Sequence, residues 1–444
     1  MKKLLLSISI ALFAFSANAQ WLPQVTPNLE SRGIDDIMIV DSNSVWATEY
    51  DGTGSGVYIR DFMRTQDGGA TWFLDSVEEL NGTGMVISMM KPVTDSIAWI
   101  CTWHEQASDA CRVLRTNDAG QNWFDQTIGY TASSFPNVIH FWDTLVGFTM
   151  GDPVSTDFEI FTTADGGTTW TKVGASSIPN KLSGEYGYTG VYHANNAGHA
   201  WFATNKGRVF RSFNYGATWA VATSGLSDLN GIYFENDTVG YAWLSSSSSL
   251  VKTENAGANW SAVGYNGNFY TNGIAKVNAQ VPYLMSVGAD AAAPAMGTTV
   301  SFDGGVNWYD VEADGQRTAV AFYNAAYGWA GGFSGGPETE GGISYWDSTF
   351  NSIILGRIEA LANKEVVMFP NPANDNLTIN FPEVKGKELT ISFVNALGQT
   401  VKTEKITSVS NVSKKFNLSD LESGVYFVTA TDGHKSCTTK LIKN

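Results

Sequence analysis

The chain of 444 residues has few cysteines, few basic residues and only one long apolar run. That run, residues 4–15, follows two lysines and precedes Ala-Asn-Ala at residues 17–19, a pattern typical of a cleaved secretory signal peptide over residues 1–19. No later stretch approaches about 20 apolar residues, so we expect no membrane span after signal removal. No cysteine follows residue 19 directly, which argues against a lipid anchor.

Basic residues are scarce, since 27 Lys and Arg stand against 43 Asp and Glu, for a formal net charge of −16. Residues 1–19 carry +2 and residues 365–444 carry +1, so residues 20–364 hold −19. Such an acidic, exported segment argues against nucleic acid or an anionic membrane as partner. Its many glycines, tryptophans and short alternating apolar segments favour an all-β domain.

The three cysteines allow at most one disulfide bond within the chain. Cys101 and Cys111 flank a short loop, and in an exported protein a disulfide that closes this hairpin is one interpretation. Two small buried thiols are the other interpretation, and the sequence leaves both open. Cys437 lies in a different part of the chain and has no third partner.

An octapeptide of the form Ser/Thr-x-Asp/Asn-x-Gly-x-x-Trp is repeated six times, with steps of 51, 47, 49, 41 and 48 residues between its tryptophans. This period, with several strands per unit, indicates a β-propeller. The copies are residues 65–72, 116–123, 163–170, 212–219, 253–260 and 301–308.

The octapeptide has the composition of a hairpin turn. Its Asp or Asn oxygen can accept hydrogen bonds from nearby backbone N–H groups, and its glycine can adopt a positive φ. Two copies have Asn in place of Asp, which suits a turn but would remove a metal ligand or an acid catalyst. We therefore predict a structural role, without chemistry, for Asp67, Asp118, Asp165, Asn214, Asn255 and Asp303.

Pairs of short apolar strands also recur, and seven pairs occur around residues 45, 99, 148, 201, 242, 284 and 329. The sequence has only six octapeptides for these seven pairs. Residues 21–24 resemble a final strand without an octapeptide, and residues 342–346 resemble a third strand without a final one. The prediction is all-β: a seven-bladed β-propeller over residues 20–350, closed by its N-terminal strand and followed by a small C-terminal β-sandwich.

The octapeptide resembles the Asp-box, also called the bacterial neuraminidase repeat, and residues 20–350 resemble seven-bladed Asp-box propellers. These include photosystem II assembly factor-like proteins, sialidases and plant-wall glycanases. The resemblance implies a fold and not a function. Sialidase chemistry would imply three arginines and an Arg-Ile-Pro triplet; the triplet is absent, and Arg32 and Arg317 are the two candidate arginines that we place outside the repeat register.

We expect a ligand site on the face opposite the octapeptides, where the variable loops collect. Arg32 and Arg317 precede the first strands of neighbouring blades and could hold a carboxylate or phosphate, or else pair with Asp35, Asp314 or Glu312. Aromatic residues of the loops could stack on sugars or anchor a protein. The candidate ligand-binding residues are Arg32, Arg317, Trp103, His104, Tyr186 and Tyr188.

Two further interpretations concern catalysis. His104 with Glu105 and Asp109 could form an acid–base or metal group, or simply a solvated loop. The pairs Asp152 with Asp157 and Glu338 with Glu340 could flank a glycosidic bond, although acidic surface loops are expected at this net charge. We predict neither a metal nor a cofactor.

The C-terminal segment has its own motifs after a connecting segment at residues 351–364. They are Phe369-Pro-Asn-Pro-Ala-Asn374, Asn395-Ala-Leu-Gly-Gln-Thr-Val401, Leu418-Ser-Asp-Leu-Glu-Ser-Gly-Val-Tyr-Phe-Val428 and Lys440-Leu-Ile-Lys443. Residues 365–444 thereby resemble a type A sorting domain of the type IX secretion system, with Cys437 as a departure in detail. The resemblance implies export through the periplasm and across the outer membrane; an immunoglobulin-like binding module is the alternative.

The sequence predicts a secreted or cell-surface propeller that binds an extracellular glycan or protein through its loops. A glycoside hydrolase or lyase acting on extracellular polysaccharide is the first alternative. A structural surface or adhesin component is the second.

Overall fold

The computed structural model describes residues 20–348 and 367–444 with short gaps, and it divides into two compact units, Met1–Ser348 and Thr349–Asn444. The predicted signal peptide and linker, together with Glu105, Asp109, Glu338 and the side chains of Glu340 and Cys437, lie outside the described residues. The gaps are residues 57–58, 81–82, 105–110, 127, 132, 281, 292–294, 338, 382–388, 396–397, 407–411 and 432–435.

The described residues of the first unit form seven four-stranded antiparallel sheets, with three short 3-10 helices at Glu78–Leu80, Ala175–Ser177 and Ser245–Ser247. Six sheets each consist of four consecutive strands, so that the chain turns back on itself three times per sheet. Sheet 1 has β2 (Arg32–Ile39), β3 (Val45–Asp51), β4 (Asp61–Thr65) and β5 (Phe73–Ser76); sheet 2 has β6 (Met85–Pro92), β7 (Ala98–His104), β8 (Arg112–Thr116) and β9 (Phe124–Gln126); sheet 3 has β10 (Pro136–Phe141), β11 (Gly147–Gly151), β12 (Glu159–Thr163) and β13 (Thr171–Lys172). Sheet 4 has β14 (Gly187–Ala194), β15 (Ala200–Thr204), β16 (Arg208–Ser212) and β17 (Ala220–Thr223); sheet 5 has β18 (Gly231–Phe234), β19 (Gly240–Leu244), β20 (Ser249–Thr253) and β21 (Ser261–Ala262); sheet 6 has β22 (Gly273–Val277), β23 (Tyr283–Asp290), β24 (Ala295–Ser301) and β25 (Tyr309–Glu312).

Sheet 7 combines the two ends of the unit. It contains β26 (Val320–Phe322), β27 (Gly328–Gly331) and β28 (Thr339–Trp346), and its fourth strand is β1 (Trp21–Thr26), which pairs antiparallel with β28. Gln24 of β1 reaches the first octapeptide, since its side chain donates to the Gly69 carbonyl at 2.9 Å and accepts from the Trp72 indole at 3.0 Å. The N-terminal strand therefore contacts both sheet 7 and sheet 1.

The first strands of sheets 2 to 7 contact one another in sequence order, and β2 of sheet 1 contacts β26, β27 and β28 of sheet 7. Two ends of the unit follow from the strand directions. We call the end with the octapeptides and the first-to-second-strand turns the turn face, and the end at which the first strands begin the loop face. Backbone hydrogen bonds such as Gly68 N–H to Asn43 O, at 2.9 Å, join octapeptides to those turns.

Aromatic side chains of one sheet pack on a hairpin of the next. The Trp99 ring of sheet 2 stacks on Phe141 of sheet 3, with centroids 3.6 Å apart, and Trp201 of sheet 4 stacks on Phe234 of sheet 5 at 3.9 Å. Phe234 in turn lies over Gly240, the residue paired with it across the hairpin. All four rings are almost completely buried, so each contributes several kcal/mol of burial and packing energy, on the order of 3–5 kcal/mol per ring by truncation.

The second unit contains two antiparallel sheets that enclose a core of their own. Leu377, Ile391, Phe393, Phe416 and Leu441 are among the buried side chains of this core. One sheet consists of β29 (Val367–Phe369), β30 (Asn376–Phe381) and β33 (Val412–Asn417); the other consists of β32 (Thr400–Ile406), β31 (Leu389–Asn395), β34 (Gly424–Thr431) and β35 (Ser436–Lys443). No α-helix occurs in the described residues of either unit.

The predicted disulfide between Cys101 and Cys111 is absent from the structure, where both residues are thiols. The register explains why, because Cys101 of β7 lies opposite Val113 of β8, two residues beyond Cys111. The Cys101 thiol instead points into the core, 3.5 Å from the Thr149 hydroxyl of sheet 3. Burial raises the pKa of Cys101 to about 12, which keeps this thiol protonated and unreactive.

We expect Gly240→Ala to destabilise the first unit by about 1–3 kcal/mol, because the new methyl group would lie within 2.6 Å of the Phe234 ring that Trp201 holds in place. Gly264→Ala is the matched control, since no atom lies within 4 Å of its Cβ position. Thermal unfolding followed by tryptophan fluorescence would measure both variants. Equal midpoints would contradict this account of the packing.

Candidate binding site on the loop face

All six octapeptides form the same hydrogen-bonded turn. In the first copy, the Thr65 hydroxyl donates to the Asp67 carboxylate at 2.8 Å and accepts from the Gly69 N–H at 3.0 Å. The Asp67 carboxylate also accepts from the Thr71 N–H at 2.8 Å, and Gly69 has a φ of +90°. Equivalent bonds from the third residue's oxygen occur at Asp118, Asp165, Asn214, Asn255 and Asp303.

Each octapeptide oxygen is thus used for the turn itself. Hydrogen bonds from the Thr169 hydroxyl and N–H lower the pKa of Asp165, as expected for a carboxylate held as an acceptor. Asn214 and Asn255 accept the same backbone bond without a charge, at 3.0 and 2.8 Å. These contacts account for the six residues without any chemistry.

Arg317 is paired within the protein and does not present a free guanidinium. Its Nε and Nη2 atoms donate to the Glu312 carboxylate at 2.9 and 2.7 Å, and its Nη1 donates to the Ser344 hydroxyl at 2.9 Å. The guanidinium also lies 5.7 Å from the centre of the Trp21 ring. Glu312 therefore occupies the position that a ligand carboxylate would need, and it is one of the three pairing partners that the sequence suggested.

Arg32 has a different environment at the start of β2. Its Nε atom is buried and has no hydrogen-bond partner among the described residues. Its positive charge acts on Glu49 of β3, whose carboxylate is likewise buried and has the Asn28 side chain as a hydrogen-bonding neighbour. Nothing in the local sequence singles out Glu49, because neighbouring residue types do not show that this carboxylate is buried.

Burial of Glu49, which is only 7% exposed, raises its pKa to about 7. The Asp61 carboxylate raises it further, whereas Arg32 and Asn28 act in the opposite direction. Burial and the Asp36 charge raise the pKa of neighbouring Asp35 to about 6. The loop end of sheet 1 thus holds two carboxyl groups that protonate near neutral pH.

Four first strands contain a register shift near the loop face. The shifts fall at Asp35 in β2, Ser88 in β6, Asn137 in β10 and residues 188–191 in β14. These residues connect neighbouring sheets: the Ser88 hydroxyl donates to Pro136 O at 3.1 Å, and the Thr189 hydroxyl donates to the Asn137 side chain at 3.4 Å. The loop-face end of the first strands is consequently polar.

Further along the first strands, one position is polar in five consecutive sheets. It is the next-to-last residue of the first strand that pairs with the second strand. We call these residues the polar belt: Lys91, His140, His193, Tyr233 and Lys276. Burial, followed by the charge of Lys91, lowers the pKa of His193 to about 4, and the same causes lower that of His140. Both imidazoles are therefore neutral at physiological pH.

Asp36 of β2 supplies the negative charge closest to Lys91. Its side chain is accessible to water, yet burial raises its pKa, with the Ile37 N–H and Lys91 acting in the opposite direction. Asp35 combines accessibility and burial in the same way. Water thus reaches both carboxylates, although many protein atoms surround them.

Tyr186 and Tyr188 lie together at the loop face of sheet 4. Their ring centroids are 5.4 Å apart at an interplanar angle of 77°, and the Tyr188 hydroxyl donates to the Asp228 carboxylate at 3.1 Å. Burial and the Tyr186 and Asp228 contacts raise the pKa of Tyr188, so it remains protonated. Tyr186 is 44% exposed, which leaves a ring free for a partner beside a carboxylate.

Glu185 fixes the segment that carries this pair. Its fully buried carboxylate accepts from the Thr204 hydroxyl at 2.7 Å and the Leu182 N–H at 2.7 Å, and it lies 3.0 Å from Arg208 Nε. The Tyr186 N–H donates to the Asn205 side chain at 2.9 Å. A buried charge with several partners gives Tyr186 a rigid base, although sequence spacing alone gave no signal for it.

The remaining candidate residues are partly buried or hydrogen-bonded within the protein, or they are not among the residues that the structure describes. Trp103 is partly buried against Phe135, with centroids 5.3 Å apart, and His104 lies beside Gly84. Asp152 accepts from the Asn137 side chain at 2.7 Å and the Gly187 N–H at 2.9 Å, which gives it a structural role. No group of three or more His, Cys, Asp or Glu suited to a metal ion occurs in the residues that the structure describes.

Residues 367–444 match the family model of the secretion system C-terminal sorting domain. This is a sorting domain of the type IX secretion system, so the chain is exported to the cell surface or the exterior through that machinery. Asn371 of the Pro-Asn-Pro motif binds the last strand, since its side chain donates to Lys440 O at 2.8 Å and accepts from the Ile442 N–H at 2.9 Å. In the described residues, no helix has the length and apolar character that crossing a membrane requires.

The solved structures most relevant to the first unit are β-propellers. YCF48 bound to D1 peptide is 16% identical with a TM-score of 0.52, covering 75% of this chain and 98% of that one; YCF48 from Cyanidioschyzon merolae is 14% identical with a TM-score of 0.52, covering 74% and 99%. A xyloglucanase of the GH74 family from Xanthomonas campestris is 13% identical with a TM-score of 0.47, covering 82% and 60%. No curated protein matches the chain in sequence. The first unit is thus an all-β domain of propeller type, and at these identities the likeness shows the fold alone.

We expect Glu49→Gln to stabilise the first unit at alkaline pH. The pKa of Glu49 is raised from its ordinary value of 4.5 to about 7 in the folded protein. Proton binding by Glu49 therefore stabilises the folded state fully below pH 4.5, and this stabilisation is lost as the pH rises through 7. The variant should match the wild type in acid and exceed it by up to about 3 kcal/mol at pH 8. Thermal unfolding between pH 5 and pH 8 would measure the difference.

Glu254→Gln is the control for this pH dependence. Hydrogen bonding and charge from Lys252 lower the pKa of exposed Glu254. Glu254→Gln should therefore change the stability in the opposite direction and by a much smaller amount. Parallel stability curves for Glu49→Gln and the wild type would contradict the assignment of a buried, proton-binding Glu49.

Proposed function

We propose that residues 20–350 form a seven-bladed β-propeller, closed by the N-terminal strand, that binds an extracellular glycan or protein through its loop face. Seven four-stranded sheets in the described residues and the pairing of β1 with β28 support this architecture. The sorting domain supports a site of action outside the cell. The protein is then a binding module that its C-terminal domain delivers to the surface or the exterior.

The arrangement of Tyr186, Tyr188 and Asp228 carries the proposal. An exposed ring held on a rigid, buried ion pair is the type of residue that anchors protein interfaces. Asp228 adds negative charge at this face, and residues 20–364 carry −19. Of the two ligand classes, a protein segment with basic side chains therefore fits this face better than a charged glycan. YCF48, which has a similar fold, has been solved with a peptide.

We expect the mature chain, residues 20–444, to bind lysine-rich peptides and not glutamate-rich peptides of equal length, and Tyr186→Ala to weaken this binding about tenfold or more. Fluorescence anisotropy with labelled synthetic peptides would measure the affinities at low and physiological salt. Asp228→Asn should weaken binding mainly at low salt, because screening already reduces its charge interaction at high salt.

Tyr323→Ala is the matched control, since Tyr323 is 51% exposed but lies in the first hairpin turn of sheet 7, on the turn face. It should leave peptide affinity unchanged. Equal affinity for basic and acidic peptides, or an unchanged affinity of Tyr186→Ala, would refute the loop-face assignment.

One observation favours a glycoside hydrolase or lyase as the second candidate. Glu159, Glu185 and Glu312 are each held by several hydrogen bonds or by an ion pair, whereas the buried Glu49 carboxylate has no ion pair among the described residues and only the Asn28 side chain as a hydrogen-bonding neighbour. The pKa of Glu49 is raised to about 7 and that of Asp35 to about 6. Glu49 can therefore hold a proton near neutral pH, as a general acid must, while Asp35 is mostly ionised there.

If this candidate is correct, the mature chain shortens a neutral extracellular polysaccharide, and Asp35→Asn and Glu49→Gln each reduce the rate at least a hundredfold. Mass spectrometry of the released oligosaccharides would measure the rate. Asp157→Asn, at a carboxylate that accepts from the Thr156 hydroxyl elsewhere in the unit, is the control. Release of no product, or equal rates in all three variants, would exclude this candidate.

A further inference from the structure

The fourth octapeptide differs from the others at its two variable turn positions, where it has Phe213 and Tyr215. The other copies have small or polar residues there, apart from Phe302 of the sixth copy, which packs near Tyr283 with centroids 5.6 Å apart. The corresponding pairs are Gln66 and Gly68, Asn117 and Ala119, Ala164 and Gly166, Glu254 and Ala256, and Phe302 and Gly304.

Tyr215 occupies a backbone conformation that disfavours a large side chain. Its φ is +59°, and the equivalent residues of the other five turns, all Gly or Ala, also have positive φ. A residue other than glycine in this region costs on the order of 1 kcal/mol or more. The turn itself requires the conformation, because the Tyr215 N–H donates to Gly198 O at 2.9 Å as its counterparts do in other sheets. A tyrosine here is therefore not explained by the turn.

The Tyr215 ring lies flat on the backbone of Gly198. A Cβ atom at Gly198 would come within 2.7 to 2.8 Å of three carbons at the end of the ring, so one ring face covers this glycine. The Trp142 ring packs against it almost perpendicularly, with centroids 5.1 Å apart and an interplanar angle of 79°. Tyr215 nevertheless remains 46% exposed.

Phe213 lies on the other side of the same turn. Its ring packs edge to face with His199 at 4.8 Å and is 6.0 Å from Trp201, and it is 48% exposed. Phe213 and Tyr215 thus present two rings on the turn face, held in place by rings and backbone beneath them. We call these two residues the ring platform.

Polar side chains border the ring platform. The Asp237 carboxylate accepts from Asn195 Nδ2 at 2.7 Å and lies 3.5 Å from His199 Nδ1, the ring against which Phe213 packs. Asn214, between the two rings in sequence, has an amide where four of the octapeptides have a carboxylate. In the described residues neither platform ring has a lysine or arginine within cation–π distance.

We infer that the ring platform is a second binding site, on the turn face, for an uncharged polysaccharide. The apolar C–H face of a pyranose ring can stack on a flat aromatic face, while its hydroxyl groups donate to a carboxylate such as Asp237 at the rim. An anionic sugar would meet the Asp237 carboxylate and the −19 charge of residues 20–364. This site is independent of the loop-face site proposed above.

Affinity gel electrophoresis of the mature chain tests this inference with hydroxyethyl cellulose, galactomannan and soluble starch as neutral probes and alginate as the anionic probe. We expect at least one neutral probe, and not alginate, to retard the wild type. Tyr215→Gly and Phe213→Ala should each weaken that retardation at least fivefold. Tyr215→Gly removes the ring while introducing the residue that a φ of +59° favours, so a folding defect is not expected to cause the loss.

One control variant keeps the result specific. Tyr323→Ala removes a similarly exposed tyrosine elsewhere on the turn face, and it should be retarded like the wild type. Thermal unfolding of all variants checks that each is folded. Failure of every neutral probe to retard the wild type, or full retardation of both platform variants, would overturn the inference.

Discussion

The first unit depends on aromatic stacking between sheets. Each sheet is apolar on both faces and must be covered by a neighbour, and the stacks of Trp99 on Phe141 and Trp201 on Phe234 join one sheet to the next. The glycines opposite these phenylalanines allow such close contact, because any side chain there would occupy the position of the ring. Local turns shape each sheet, but these stacks set how neighbouring sheets meet.

Features that depend on short sequence separations were predictable. The octapeptide turns use hydrogen bonds between residues two to four positions apart, and Arg317 finds Glu312 only five positions away. The seven hairpins follow from apolar alternation, which needs no knowledge of neighbours. In each of these cases, residue types within about ten positions determine the contact.

The candidate site was harder to predict, because its properties arise between sheets. The polar belt is visible only when five first strands are aligned by their register, and the altered pKa values of His140, His193 and Glu49 follow from burial that no single strand reveals. The sequence left open whether Cys101 and Cys111 form a disulfide or remain thiols for a similar reason, since the two-residue offset that separates them is a property of the register between β7 and β8. The structural interpretation of the octapeptides accounts for their shared residues but not for Tyr215, where sequence variation within a repeat is the signal.

The pairing of β1 with β28 has a consequence for how this chain becomes a finished protein. Contacts such as the Ser334 hydroxyl to Asn28 O join residues 306 positions apart, so sheet 7 cannot be completed until nearly the whole unit is available. Until then β28 has an unpaired edge, which invites pairing with other chains. Closing so long a segment is also entropically slow. For a protein that crosses an envelope before it acts, sheet 7 is therefore completed last, and incomplete chains are the ones most exposed to misassembly.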